Sequence, residues 1–235
     1  MKTKEKFKVY SDVFDSSTIA VLSKFMDGKY FDVFEGLVSS GKEANVFRVK
    51  KDNDYLAVKI YMYETSNFQN MWNYIYGDVR FLGVQKKKLP IVHAWCKKEF
   101  SNLQKIKRAG VRVPTPIKFR NNVLLMDFIG LKGVASPIAK TNPPKNPDKW
   151  FKELKNSIKN MYQKENLIHG DLSEYNVLNH REKPVIIDVS QAVLKEHPLA
   201  DKMLKRDIDN ICKWFKNLGV DTPSTEEIYE EVKNE

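Results

Sequence analysis

The apolar residues of the chain alternate between helical and strand-like spacing. After the polar stretch Asp15-Ser16-Ser17-Thr18, apolar side chains recur at helical intervals up to Gly28, which predicts a capped helix. Beyond it, short apolar runs alternate with turn residues, a pattern typical of β-hairpins. These runs cover residues 34–38, 46–49 and 56–60. We therefore expect one helix followed by antiparallel strands.

Further helices are predicted along the remainder of the chain. They are, in order, residues 93–109 ending before Gly110, a helix capped by Asp148, residues 199–218, and a terminal helix with a capping box of Ser224 and Glu227. Apolar runs on either side of the turn 120–122 predict two more strands, and the Pro-rich residues 131–147 predict an irregular connection.

This order of elements predicts an α+β fold with two lobes. Residues 1–30 are expected to form an N-terminal helical extension. Residues 31–130 would form an N-lobe with a β-sheet and a long helix, and residues 131–235 a C-lobe of loops and helices. Within the N-lobe, residues 61–95 form an insertion that is rich in aromatic residues and ends in Lys86-Lys87-Lys88. Such an insertion is either a flexible loop or a clamp for nucleic acid.

Composition narrows the class of protein. The 235 residues are 42% hydrophobic, which suits a globular fold, and they contain neither an apolar run of about 18 residues nor a signal-peptide pattern. Cys96 and Cys212 lack a metal-ligand spacing and are expected to be reduced core thiols. We expect a cytoplasmic monomer without a membrane partner. The net charge of +10 fits either an RNA partner or ATP with a solvated surface.

The stretch from His169 to Asp188 carries the candidate chemistry. Asp171 is followed by Asn176 five residues later and by Asp188 twelve residues beyond that, at the end of an apolar run. A carboxylate near the attacking hydroxyl, together with Asn and Asp oxygens for Mg²⁺, is the set that phosphoryl transfer requires. The protein-kinase catalytic loop has the same pattern, except that Gly170 stands where that loop has Arg.

Candidate nucleotide-binding residues precede this stretch. Residues 39–45 form a small, polar loop between two strands, in which Ser40, Gly41 and Lys42 could contact phosphates. Lys59 on the returning strand resembles the kinase lysine that binds the α- and β-phosphates, and Glu99 is its candidate ion-pair partner. Residues 123–130 resemble a kinase hinge. The remaining predicted contacts to the nucleotide are Val38, Ala57, Met126, Asp127, Ile129 and Ile187.

Three motifs together resemble one family. They are Ser-Ser-Gly-Lys-Glu-Ala-Asn-Val-Phe, His-Gly-Asp-Leu-Ser-Glu-Tyr-Asn and Ile-Asp-Val-Ser-Gln, and they are similar to those of the RIO-type atypical serine protein kinases, first branch. The resemblance covers about residues 11–220 and implies a bilobal protein-kinase-like fold. The 47 residues after Asp188 imply a truncated C-lobe without an activation segment or a peptide-binding subdomain. Short termini suggest an archaeal source, and the insertion 61–95 resembles the flexible loop of this family.

The resemblance also implies a function. It indicates an ATP-dependent serine kinase or ATPase that acts with Mg²⁺ or Mn²⁺ in maturation of the small ribosomal subunit, with the pre-small-subunit particle and its rRNA as partners. Asp171 would be the catalytic base, and Asn176 and Asp188 would be the metal ligands. The carboxylate of Asp188 could itself accept a phosphoryl group. Two alternatives remain open, namely a small-molecule kinase of the aminoglycoside or choline type and a non-catalytic ATP-binding assembly scaffold.

Overall fold

The computed structural model describes residues 14–64 and 66–234, and the chain divides into two compact units. Unit 1 consists of Met1–Trp72, Gly83–Phe100 and Pro116–Phe128, and unit 2 of Asn73–Leu82, Ser101–Thr115 and Ile129–Glu235. The units are therefore interleaved in sequence, whereas consecutive regions were predicted. Residues 1–13 of the predicted N-terminal extension lie outside the described residues.

Unit 1 is built on a five-stranded antiparallel sheet. Its strands are β1 (Val33–Ser40), β2 (Ala44–Lys51), β3 (Asp54–Tyr61), β4 (Pro116–Arg120) and β5 (Val123–Asp127), and their order in the sheet is β1-β2-β3-β5-β4. The hairpins form because turn residues separate the apolar runs; Asp52, for example, adopts a left-handed φ of 51° between β2 and β3. The predicted strands are present; β1, β2 and β3 extend beyond their apolar runs, whereas β5 ends at Asp127, before the end of its run.

Helix α1 (Ser16–Asp27) packs on this sheet. It begins where the Asp15 side chain accepts hydrogen bonds from the backbone N–H groups of Ser17 and Thr18, and Gly28 follows its last turn, as predicted. Its apolar side chains join the core of the sheet, formed by buried residues that include Val21, Leu22, Phe25, Phe47, Val49 and Val58. The helix is therefore part of the core of unit 1.

The insertion contains regular structure. Helix α2 (Phe68–Tyr76) and a 3₁₀ helix (Val79–Phe81) lie within it. Helix α3 (Lys88–Arg108) begins before residue 95, the predicted end of the insertion. Most of the insertion's aromatic residues are buried, namely Tyr61, Tyr63, Tyr74, Phe81 and Trp95, so they serve as core residues. Helix α3 starts five residues earlier than predicted (93 − 88) because Pro90 lies in its first turn, where a backbone N–H is not needed.

Unit 2 is mainly helical. Its elements are the short strands β6 (Gly130–Leu131), β7 (Val134–Ala135), β8 (Leu167–Ile168), β9 (Val177–Asn179), β10 (Pro184–Ile186) and β11 (Val193–Leu194), and the helices α4 (Pro147–Glu165), α5 (Ala200–Asn217) and α6 (Thr225–Lys233). The pairs are β6 with β7, β8 with β11, and β9 with β10. Phe151 of α4 packs on Phe215 of α5, with ring centroids 5.5 Å apart.

The helix boundaries of unit 2 correct one prediction and confirm others. Helix α4 is capped by Asn146, whose side chain accepts a hydrogen bond from the N–H of Lys149, so the prediction of Asp148 as the cap was wrong. Asp148 lies instead in the first turn, where its charge is favourable. The capping box of Ser224 and Glu227 is present at α6.

Cys96 and Cys212 are both free and buried. Among the described residues, no helix is long and apolar enough to cross a membrane.

Candidate active site

The phosphate-binding loop predicted for residues 39–45 is a tighter hairpin than expected. Strand β1 continues to Ser40 and β2 starts at Ala44, so only residues 41–43 form the turn. The Gly41 N–H donates to the Ala44 C=O at 3.0 Å, and the Ser40 hydroxyl donates to Asn45 Oδ1 at 2.8 Å. Both groups thus stabilise the hairpin itself. Lys42 is exposed at its tip, and Val38 is half-buried in β1.

Lys59 and Glu99 form the ion pair that the sequence predicted. The Lys59 ammonium donates to Glu99 Oε1 at 2.9 Å, and the exposed fractions of the two side chains are 9% and 2%. The Tyr61 hydroxyl donates to the other carboxylate oxygen of Glu99. A buried ion pair persists only where both charges have such partners, because desolvation opposes their burial. Unit 1 therefore holds Lys59 in a fixed position.

Two of the predicted nucleotide contacts, Ala57 and Met126, lie next to Lys59 on the sheet. Ala57 pairs directly with Met126 across β3 and β5, and Lys59 pairs with Leu124. Residues two apart in a strand share a face, so Ala57, Lys59 and Met126 lie on one face of the sheet. Asp127 ends β5. Ile129 belongs to unit 2, where its C=O accepts a hydrogen bond from the Ser136 N–H at 2.9 Å.

The catalytic loop of unit 2 brings Asp171, Asn176 and Asp188 together. The Asn176 amide donates to the backbone C=O of Asp171 at 2.8 Å and to its Oδ2 at 3.2 Å. The Ile187 N–H donates to the Asn176 C=O at 3.0 Å, which joins the loop to the end of the second apolar run. Asp188 follows with a left-handed φ of 54°, and the Ser190 hydroxyl donates to its Oδ1 at 3.0 Å.

His169 has a structural role, as predicted. It is buried, its Nε2 donates to the Ile187 C=O at 3.2 Å, and its Nδ1 accepts from the Asp171 N–H at 3.3 Å. Burial lowers the pKa of His169 to about 4, so the ring is neutral at physiological pH. A neutral ring with both nitrogens bonded to the backbone shapes the loop around Asp171.

Asp171 has the electrostatic setting of a general base. Burial raises its pKa, and the charge of Asp188 raises it further, whereas Arg206 and the Asn176 amide lower it. A raised pKa makes a carboxylate a better proton acceptor. The two opposing charges, Asp188 and Arg206, both come from unit 2.

Two residues that support this loop were missed by sequence reasoning. Asp207 of α5 is buried and accepts hydrogen bonds from the N–H of Gly170 at 2.7 Å and of Leu172 at 2.9 Å. Its neighbour Arg206 donates to the Gly170 C=O. Burial raises the pKa of Asp207 to about 7. The available signal was an Asp on the apolar stripe of a helix, one residue before Ile208.

Gly170 explains why the loop departs from the usual kinase pattern. Its φ of 80° lies in the left-handed region, and a Cβ there would be 3.3 Å from the Gln191 C=O. A side chain at this position would therefore be strained. Arg206 instead brings a guanidinium to the loop from α5.

The donor set suits a hard cation. The Nδ2 of Asn176 is turned to Asp171, which leaves Oδ1 as its donor to a metal, and Asp188 contributes carboxylate oxygens. Mg²⁺ is commonly held by one or two protein oxygens together with substrate phosphates. Within residues 14–64 and 66–234, no three His, Cys, Asp or Glu side chains cluster to hold a metal unaided.

Comparisons with known proteins agree on one family. The profile of the RIO domain family matches residues 45–228. The RIO-type serine/threonine-protein kinase Rio1 of Methanocaldococcus jannaschii is 42% identical over 92% of this chain and 74% of its own length. The Rio1 kinase of Haloferax volcanii is 38% identical over 99% of this chain and 80% of its own length.

A solved structure shares the fold. It is the Rio2 kinase of Chaetomium thermophilum in an ADP/Mg²⁺-phosphoaspartate complex, with a TM-score of 0.68 and 20% identity. The match covers 93% of this chain and 67% of that one. At this identity the likeness shows the fold alone, and it agrees with the expected kinase-like α+β architecture.

Proposed function

The chain belongs to the RIO family of atypical serine/threonine kinases, and we propose that it uses MgATP both to phosphorylate serine and to hydrolyse ATP. The observation that carries the proposal is the Asp171, Asn176 and Asp188 constellation of unit 2, in which a base of raised pKa adjoins oxygen donors for a metal. The buried Lys59–Glu99 pair of unit 1 supports it as a preassembled phosphate-binding group.

The proposed mechanism assigns one task to each group. Lys59, fixed by Glu99, binds the α- and β-phosphates, and the oxygens of Asn176 and Asp188 hold the metal. The bound Mg²⁺ supplies charge neutralisation on the phosphates. Asp171 orients the attacking hydroxyl or water and accepts its proton. Met126, Asp127 and Ile129 contact the adenine, and Val38, Ala57 and Ile187 are further contacts to the nucleotide. The hairpin with Ser40, Gly41 and Lys42 covers the phosphates.

We further propose Asp188 as a transient phosphoryl acceptor. The Rio2 kinase structure contains a phosphoaspartate, and Asp188 is an exposed carboxylate next to the proposed metal site. An acyl phosphate formed there would be released by hydroxylamine, unlike phosphoserine. Phosphoprotein that survives hydroxylamine in full, and that persists in Asp188→Asn, would contradict this assignment.

The proposed setting is maturation of the small ribosomal subunit, in which the protein works as a cytoplasmic monomer on the precursor particle and its rRNA. The net charge of +10 supports an RNA partner, since phosphate contacts dominate the affinity of proteins for nucleic acid. The Rio1 relatives are named as serine/threonine kinases, which favours this function over the phosphorylation of small molecules.

ATP turnover with and without small-subunit precursor particles tests the function. Wild type, Asp171→Ala and Asp188→Ala would be compared, with Asp209→Ala on the outer side of α5 as a matched carboxylate control. We expect the particles to stimulate wild type and Asp209→Ala, and the two site variants to lose at least about 100-fold in rate. An Asp171→Ala protein that turns over ATP as fast as wild type would contradict the enzyme and favour a scaffold.

A further inference from the structure

Gln191 contacts the proposed base but has no task in the mechanism above. Its side-chain Nε2 donates to Asp171 Oδ2 at 3.4 Å. Because an ionised carboxylate only accepts hydrogen bonds, the amide presents Nε2 to Asp171, and its Oε1 acceptor lies at the other arm of the same group. An acceptor oxygen therefore adjoins the carboxylate that takes the proton.

The backbone of Gln191 is held firmly. The N–H of Ala192 donates to the C=O of Val189 at 3.1 Å, which closes a turn around Ser190 and Gln191. The Asn102 amide donates to both ends of this turn, at 2.8 Å to the Val189 C=O and 3.1 Å to the Ala192 C=O. Such a turn fixes the backbone position from which the Gln191 side chain reaches Asp171.

The two oxygens of Asp171 are not equivalent. Oδ2 accepts from both the Asn176 amide and the Gln191 amide, at 3.2 Å and 3.4 Å. A carboxylate oxygen that already accepts two hydrogen bonds is a poorer proton acceptor. The proton of the attacking group is therefore directed to Oδ1.

Water and a serine hydroxyl place different demands on this arrangement. A serine hydroxyl has one O–H bond, which Asp171 Oδ1 can accept, and its carbon chain orients the oxygen. Water has two O–H bonds and no chain, so a second acceptor is needed to aim its lone pair at phosphorus. In GTPases of the Ras type, a glutamine amide orients the attacking water.

We propose that Gln191 favours water over a serine hydroxyl as the phosphoryl acceptor. Its Oε1 accepts a hydrogen bond from the second O–H of the attacking water. This rests on the proposed MgATP function. On the proposed route through Asp188, the water oxygen forms a bond to the phosphorus of the acyl phosphate while the bond from that phosphorus to the Asp188 oxygen breaks and frees the carboxylate. One water proton passes to Asp171 Oδ1 and then to solvent, and the other remains on the phosphate. Gln191 exchanges no proton.

The test measures two products in one reaction. Purified full-length protein is incubated with γ-labelled ATP, Mg²⁺ and dephosphorylated casein, and both inorganic phosphate and phosphoserine are counted. Gln191→Met keeps the shape of the side chain but removes its amide, and Gln104→Met makes the same change on the exposed side of α3. Affinity for ADP and the midpoint of urea unfolding are measured for each protein.

For Gln191→Met we expect the ratio of phosphate released to phosphoserine formed to fall about tenfold, the effect of one lost hydrogen bond in the transition state. ADP affinity should stay within about twofold of wild type, and Gln104→Met should keep the wild-type ratio.

Two outcomes would overturn the inference. In the first, wild type forms both products and the Gln191→Met variant keeps the wild-type ratio. This would refute the inference while the proposed function stands, because transfer to water and transfer to serine would then depend on Gln191 equally or not at all. A wild type that forms neither product would refute the proposed function and this inference together.

Discussion

The two units hold the charged residues of the candidate site in opposite ways. In unit 1, the buried cation Lys59 is paired with the buried anion Glu99, and a tyrosine hydroxyl completes the set. In unit 2, three carboxylates, Asp171, Asp188 and Asp207, are held mainly by amide and hydroxyl donors, with Arg206 as the nearby cation. The Lys59–Glu99 pair is thus balanced as it stands, whereas the negative charge of the three carboxylates in unit 2 exceeds the positive charge of Arg206.

This difference indicates which unit the proposed metal would stabilise. A balanced pair is assembled without a ligand. Clustered carboxylates repel one another, and burial raises the pKa of both Asp171 and Asp207. A divalent cation on Asp188 and Asn176 would relieve that repulsion. We therefore expect a substitution at Lys59 or Glu99 to affect that ion pair alone. A substitution at Asp171, Asp188 or Asp207 should affect all three carboxylates and their hydrogen-bond donors, which together form the network of unit 2.

Breaking the pair from one side should have the largest effect. Lys59→Met leaves the Glu99 charge buried without its cation, and we expect it to lower the free energy of unfolding by about 3 to 5 kcal/mol. The double variant Lys59→Met/Glu99→Gln should recover much of this loss, because no unbalanced charge remains. Urea unfolding of the four proteins measures the coupling. A double variant as unstable as the sum of the single ones would mean that the pair is not a unit.

Removing Asp207 should have the next largest effect, since it supports the network of unit 2. Asp207→Ala leaves the buried N–H groups of Gly170 and Leu172 without an acceptor, and we expect a loss of about 2 to 4 kcal/mol in urea unfolding. Asp209→Ala, two residues later on the same helix, should change stability by less than about 0.5 kcal/mol because its partner Lys213 is mostly exposed. Equal losses for both variants would refute a special role for Asp207.

The pH dependence of the free energy of unfolding should reveal the contribution of Asp207, which belongs to the network of unit 2. The pKa of Asp207 is about 7 when folded, against 3.8 for an ordinary Asp, so its protonation favours the folded state. That stability is fully present below about pH 4 and is lost as the pH rises through about 7. Relative to Asp207→Asn, wild type should therefore be about 1 to 3 kcal/mol more stable at pH 5 than at pH 8. Parallel stability curves for the two proteins would contradict this.

The smallest effect is expected at the edge of unit 1. The exposed Ser40 hydroxyl donates to Asn45 within the hairpin, so Ser40→Ala should lower stability by less than about 1 kcal/mol and change the KM for ATP by less than about threefold. A tenfold rise in KM, measured by steady-state turnover, would show that this hydroxyl binds phosphate, as the sequence first suggested.

Sequence reasoning recovered the parts that motifs define. Lys59 and Glu99 lie 40 residues apart, yet the kinase-like order of elements identified them as partners, and the structure confirms the contact. Asp171, Asn176 and Asp188 are also brought together as expected. The motifs include these residues, and the family resemblance assigns each of them a part in the proposed chemistry.

The supporting contacts could not be predicted in the same way. Asp207 lies 37 residues after Gly170, and its partners are backbone N–H groups that leave no mark on the sequence. The start of α3 at Lys88 and the cap at Asn146 were missed because tertiary packing and local side-chain geometry decide such boundaries. A buried carboxylate on an apolar helical stripe is the one signal that could have revealed the network.

Calorimetric titration of ATP with and without Mg²⁺ tests most directly whether unit 1 contributes phosphate binding and unit 2 contributes metal binding. Wild type, Lys59→Met and Asp188→Asn would be compared under both conditions. If unit 1 binds phosphates and unit 2 binds the metal, Lys59→Met should weaken ATP binding by the same factor in both, whereas Asp188→Asn should abolish only the gain that Mg²⁺ brings. An Asp188→Asn protein that keeps the full Mg²⁺-dependent gain would contradict the account.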